Sequence, residues 1–223
     1  MVDDPKSCGS STMKVSWVFD VISPYAYLAF KQLPRFPATT TIEYIPVLFA
    51  GLLSHFGQLG PAEMTTKRRF TYRFVQWRAR QLRIPMHWPP AHPFNPLTAQ
   101  RLIIAAGADR RAVETVFGAI FADGRDIQSP QVIADLALEL GIADTSAAVD
   151  NPAIKQQLRD NTDWAITRGI FGVPTLVIGE ELFWGLDAMD MALDYLADPQ
   201  LFNDPEMQRL DRLPLGVVRK AKT

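Results

Sequence analysis

The chain has 223 residues, of which 48% are hydrophobic and 21% charged, with a formal charge of −1. That length fits one domain carrying an insertion, at about 100–200 residues per domain, and the composition excludes wholesale disorder. A charge near zero gives no general attraction to nucleic acid or an anionic membrane, and no apolar run approaches the ~20 residues of a bilayer span, so neither partner is expected.

The single cysteine, Cys8, falls in a polar opening, 1–12, that lacks the apolar stretch of a signal peptide. This opening reads as a flexible arm, with Met13 an alternative start. One cysteine excludes a disulfide framework, a thiolate zinc site and dithiol redox catalysis, and the reducing cytoplasm is the expected compartment. Over 14–20 the run KVSWVFD puts Val15, Trp17 and Phe19 on one face at period two, which predicts a strand. Ser23-Pro24 then opens a predicted helix over 24–33, because serine can cap free backbone N–H groups and proline is tolerated in a first turn. The β-branched alternation of TTTIEYIPV predicts a second strand about twenty residues on, and a strand, helix, strand order at that spacing implies parallel strands.

The middle is predicted helical over 64–83, 96–106, 110–122, 130–140 and 152–168, with Asn95, Asp109, Ser129 and Asn151 as caps and Gly107, Gly141 and Gly169 as stops. Beyond Gly169, TLVI and LFW on either side of Gly179-Glu180-Glu181 predict an antiparallel hairpin. An amphipathic helix over 188–196 and a polar tail, 201–223, complete the chain. The order β-α-β, helices, β-β-α is the α/β thioredoxin topology with a large all-helical insertion. On this division 13–50 and 170–200 make the thioredoxin-like part, and 51–169 the inserted helices.

Thioredoxin-like proteins carry their reactive group at the start of the first helix, where unpaired N–H groups and partial positive charge favour a thiolate. That place holds Ser23, Pro24 and Tyr25 here. Serine has no redox chemistry, so the sulfur must come from a second molecule, for which glutathione is the obvious donor. The same dipeptide recurs at Ser129-Pro130, where a helix cap alone accounts for it. Ser23 differs in following a strand within a β-α-β unit. Phe171-Gly172-Val173-Pro174-Thr175 opens the hairpin, and its proline is compatible either with a cis peptide or with an ordinary strand edge.

These residues carry a family resemblance. Asp20 with Ser23-Pro24-Tyr25-Ala26-Tyr27-Leu28, then Gly57-Gln58-Leu59-Gly60-Pro61-Ala62-Glu63, Lys67-Arg68, Pro93-Phe94-Asn95-Pro96, Gly172-Val173-Pro174-Thr175 and Phe183-Trp184-Gly185, resemble the 2-hydroxychromene-2-carboxylate isomerases. That family is similar to the kappa-class glutathione transferases and shares their DsbA-like fold. The resemblance implies a catalytic Ser23 hydrogen-bonded to the glutathione sulfur. It implies that the backbone of Val173, before a cis Pro174, pairs with the cysteinyl part of the tripeptide, and that Asp187 meets its γ-glutamyl end. Leu186 stands where the family has Ser or Asn, which removes one side-chain hydrogen bond to that end. Gln58, a further glutathione-binding candidate, stands where several members have Asn. A homodimer is also implied.

The implied reaction is isomerisation of an aromatic, chromene-type carboxylate by reversible thiol addition, bond rotation and elimination, without net redox. A kappa-type transferase or peroxidase is the near alternative, and a non-catalytic thioredoxin-like binding module the distant one. The aromatic substrate is expected against Tyr25, Trp88, Phe94, Asn95 and Trp184, although core packing equally accounts for the tryptophans and Phe94. Between Glu63 and Asp109 there is no acid, whereas Lys67, Arg68, Arg69, Arg73, Arg78, Arg80, Arg83 and Arg101 are all basic. This run either attracts anions or is a solvated helix face. Phe70, Tyr72, Phe74 and Trp77 lie at helical spacing and are expected in the core. His87 and His92 flank Trp88-Pro89-Pro90 without sharing a helical face, and no metal site is expected from them.

Overall fold

A computed structural model describes residues 13–217, so the 1–12 opening with Cys8 lies outside the described residues. Strand β1 (Met13–Phe19) leads through a short turn into α1 (Pro24–Phe30), and β2 (Thr40–Pro46) follows. The hairpin of β3 (Thr175–Ile178) and β4 (Glu181–Trp184) joins them in one sheet of order β2-β1-β3-β4. β1 runs parallel to β2, with Val15 opposite Ile42 and Trp17 opposite Tyr44, and antiparallel to β3, with Trp17 opposite Leu176. This is the thioredoxin topology.

Central strand β1 is covered on both faces. Val15, Trp17 and Phe19 pack with α1 and with Phe117 and Phe121 of the helical segment, whereas Val18 packs with Val47, Leu52, Ala165 and Val177 on the other side. The aromatic layer is tight: Trp17 lies 4.5 Å from Phe19 and 5.7 Å from Phe30, ring centroid to centroid, and Tyr27 lies 5.5 Å from Phe121. Burial of such rings, about 1.5–3 kcal/mol each before the entropy of ordering them, is what fastens the helical segment to the sheet.

That segment comprises α2 (Phe49–His55), α3 (Thr65–Gln81), α4 (Leu97–Ala105), α5 (Arg110–Phe117), α6 (Pro130–Glu139), α7 (Thr145–Asp150) and α8 (Pro152–Thr167). After β4 come α9 (Met189–Ala197) and α10 (Pro205–Leu210). Helices α2, α7 and α10 depart from expectation, α10 within the stretch read as a polar tail. The helix expected over 110–122 changes at Gly118 into a π turn, Gly118–Ala122. Asp109, Asp144 and Asn151 cap α5, α7 and α8 through their side chains, but the Ser129 side chain caps nothing at α6. Among the described residues no helix is long and apolar enough to cross a membrane.

Candidate active site

Ser23 is the N-cap of α1, and its Oγ accepts from the Ala26 N–H at 3.2 Å. The residue is 7% exposed. Its hydroxyl donates to the Val173 carbonyl at 3.4 Å, a bond at the outer limit of useful length, so the proton is only weakly committed. The Val173–Pro174 peptide bond is cis. Among the described residues the Val173 N–H donates to no protein acceptor. The geometry therefore brings together a loosely held hydroxyl, a free backbone donor and a carbonyl.

The turn before Ser23 is held from several directions. Asp20 is 1% exposed, and its carboxylate accepts from Ile22 N at 3.0 Å and from Phe49 N at 2.9 Å. Burial drives its pKa up to about 7, against the lowering effect of those two N–H donors. His92 Nε2 bonds the Ile22 carbonyl at 2.7 Å, which fixes the proton on that nitrogen. The Tyr72 hydroxyl lies 2.6 Å from Nδ1, and burial lowers the pKa of the ring. A neutral His92 is thus a strut. Gln100, fully buried on α4, donates from Nε2 to the Val47 carbonyl at 2.7 Å and the Phe19 carbonyl at 3.3 Å, tying the ends of β1 and β2.

Three further expected site residues are Tyr25, Asp187 and Trp184. Tyr25 is half-buried, and its phenol pKa is raised by burial and then by the negative charge of Asp187. Asp187 is exposed and folds back over Gly185, where a Cβ would meet its Oδ1 at 2.5 Å. Trp184 is 54% exposed and lies edge-on to Phe171 at 5.0 Å, above the loop that carries Val173. Gly172 lies directly beneath it, and a Cβ there would come within 2.5 Å of Trp184 Nε1 and displace the indole.

Of the remaining candidates, Trp88 and Phe94 lie around His92, which holds the Ile22 carbonyl. Trp88 donates its indole N–H to Gln76 Oε1 at 2.9 Å and packs 4.4 Å from Tyr72, inside an aromatic cluster around His92. Phe94 is 6% exposed in the same cluster. Asn95 turns outward, accepting from Leu97 N at 3.0 Å, and its own N–H donates to Gln128. Gln58 sits exposed in the loop after α2, and among the described residues no hydrogen bond links it to the Ser23 group. Asp20, His92 and Gln100 were not read as site-building residues. Asp20 belongs to the quoted motif, but only tertiary contact shows what the other two hold. Phe70, Phe74 and Trp77, expected in the core, are exposed on α3.

Known proteins resemble this chain over most of its length. Residues 14–197 match the family described as the DSBA-like thioredoxin domain. The chain is 28% identical over 207 residues to glutathione S-transferase kappa 2 of Caenorhabditis elegans, covering 83% of this chain and 92% of that protein. It is likewise 28% identical over 195 residues to a 2-hydroxychromene-2-carboxylate isomerase of Sphingobium xenophagum, covering 84% of this chain and all, 100%, of the relative. A solved structure of a 2-hydroxychromene-2-carboxylate isomerase superposes with a TM-score of 0.76 at 25% identity, over 91% of this chain and 100% of that one.

Proposed function

The chain belongs to the DSBA-like thioredoxin domain family, and from that premise we propose that it is a glutathione-dependent isomerase of an aromatic, chromene-type carboxylate. One observation carries the reading: a serine hydroxyl, not a cysteine thiol, occupies the start of α1, 3.4 Å from the Val173 carbonyl. A thioredoxin-type cleft without its own sulfur is built to receive one.

Glutathione, when bound, supplies the sulfur nucleophile. Ser23 Oγ is the donor that holds the sulfur as an anion, since its weak bond to Val173 is easily exchanged for a charge-assisted one. The free Val173 N–H and its carbonyl pair with the cysteinyl backbone. Asp187 accepts from the γ-glutamyl ammonium, with Leu186 beside it offering no hydrogen bond. Asp20, His92 and Gln100 keep the Ser23 turn fixed, so that little reorganisation accompanies the reaction.

Titration calorimetry with glutathione, paired with the interconversion of 2-hydroxychromene-2-carboxylate and its ring-opened form, tests the proposal. Binding should be saturable, turnover should require glutathione, and Ser23→Ala should lower turnover by at least ~10-fold. Isomerisation without glutathione would overturn it. Kinship with a kappa-class transferase supports transfer as the second reading. Consumption of glutathione on a model electrophile, with no isomerisation, would assign that reaction instead.

A further inference from the structure

We propose that the outer face of α3 docks the protein on an anionic lipid surface, with Phe70, Phe74 and Trp77 entering the headgroup boundary and the cations around them meeting lipid phosphates. Helix α3 is fastened to the protein through Thr71, Val75 and Ala79, all buried. The three aromatic residues recur at offsets of four and three on a face turned away from that contact, where Phe70 is 67% exposed and Trp77 51%. Their rings are contiguous, with Phe70 5.9 Å from Phe74 and Phe74 5.6 Å from Trp77. Met64, the N-cap residue of the same helix, is exposed as well.

Charge indicates the occupant. The chain as a whole is near neutral, but this helix is not: no acid falls between Glu63 and Asp109, and Lys67, Arg68, Arg69, Arg73, Arg78 and Arg80 all lie on α3. Among the described residues none of the six forms an ion pair. At about 100° per residue, Lys67 and Arg78 fall along one side of the aromatic stripe, and Arg69, Arg73 and Arg80 along the other. Long cationic side chains bordering exposed rings on both sides suit a bilayer interface, where the rings take the apolar boundary while the alkyl stems lie along it and the charged heads reach phosphate. Tryptophan favours that depth in particular. A second copy of this face would set cation against cation, which disfavours self-association here. Single-stranded nucleic acid offers phosphates too, but it is held along a charged groove, whereas these residues share one outward helix face. Lipid docking does not depend on the glutathione reading.

Co-sedimentation of the full chain with vesicles tests the proposal, using phosphatidylcholine alone and phosphatidylcholine mixed with phosphatidylglycerol, with circular dichroism confirming that each variant is folded. The wild type should bind the mixed vesicles and not the neutral ones, and added salt should weaken the binding. Phe70→Ala combined with Trp77→Ala should lower partitioning roughly tenfold. Arg69→Gln combined with Arg73→Gln should lower it by a similar factor and flatten its salt dependence. Absence of binding to the mixed vesicles, equal binding to the neutral ones, or unchanged partitioning in both variants would overturn the proposal. So would a single-stranded oligonucleotide that displaces the protein from the vesicles and binds it more tightly, which assigns the face to nucleic acid. A wild-type dimer that the aromatic variant splits overturns it as well, assigning the stripe to a second copy.

Discussion

The chain contains the same five-residue unit twice, Asp-x-x-Ser-Pro at 20–24 and at 126–130. Locally the two are built alike. In each the serine N–H donates to the aspartate carbonyl at 3.0 Å, the N–H two residues past the aspartate donates to its Oδ1 at 3.0 Å, and the proline opens a helix. Their surroundings differ entirely. Asp20 is buried and also receives Phe49 N, and Ser23 both caps α1 and faces Val173 across the sheet. Asp126 is exposed, and the Ser129 side chain caps nothing. A turn motif therefore specifies backbone shape, and what the fold brings opposite it specifies chemistry.

The sharpest contrast is expected at the two aspartates. Asp20→Ala should cost roughly 2–4 kcal/mol, since two largely buried N–H donors lose their acceptor, against less than about 1 kcal/mol for Asp126→Ala. Denaturant midpoints measure both. The cost should also depend on pH. Asp20 has its pKa raised to about 7, so its contribution is fully present below the unfolded value near ~4 and is lost as pH rises through the folded value. The gap between wild type and Asp20→Ala is then widest in acid and narrows towards pH ~7.5. A gap that widens with pH breaks the assignment.

Ser23→Ala follows, with at least ~10-fold lost turnover and ~0.5–2 kcal/mol of stability from the missing cap. For Asp187→Asn, roughly tenfold weaker glutathione binding with little change in stability is expected, since an exposed carboxylate has no structural duty comparable to a charge-assisted bond of ~1.5–3 kcal/mol. Titration reads this directly. The smallest effect belongs to Ser129→Ala, within about 0.5 kcal/mol and without effect on turnover. A larger stability loss there would show that a backbone turn alone makes a serine matter.

The sheet order was legible because β1, β2 and the hairpin each announce themselves by period-two burial or flanking turns. Helix α2 was not, because its N-terminus has no local side-chain cap: Leu48 N and Phe49 N are satisfied by Thr162 and Asp20, from distant parts of the chain. The short α7 and α10 did carry signals, Asp144 and Asp204-Pro205, that were overlooked in polar surroundings. At the site, Ser23 and Val173 could be paired from topology and motif. The exposure of Phe70, Phe74 and Trp77 on α3 was not legible, because spacing shows that aromatic residues share a face but not whether another element covers it.

The bond between Ser23 and Val173 joins residues 150 apart in sequence. Closing so long a loop is entropically costly, and contacts of this separation depend on the slow, non-local part of folding. The α1 cap is local, so the serine side can form early, but the cleft exists only once β3 has docked against β1. A chain opened at that one seam would keep its helices and lose its site. Hydrogen exchange at the β1–β3 pairs therefore reports how often the cleft is assembled, independently of how much helix remains.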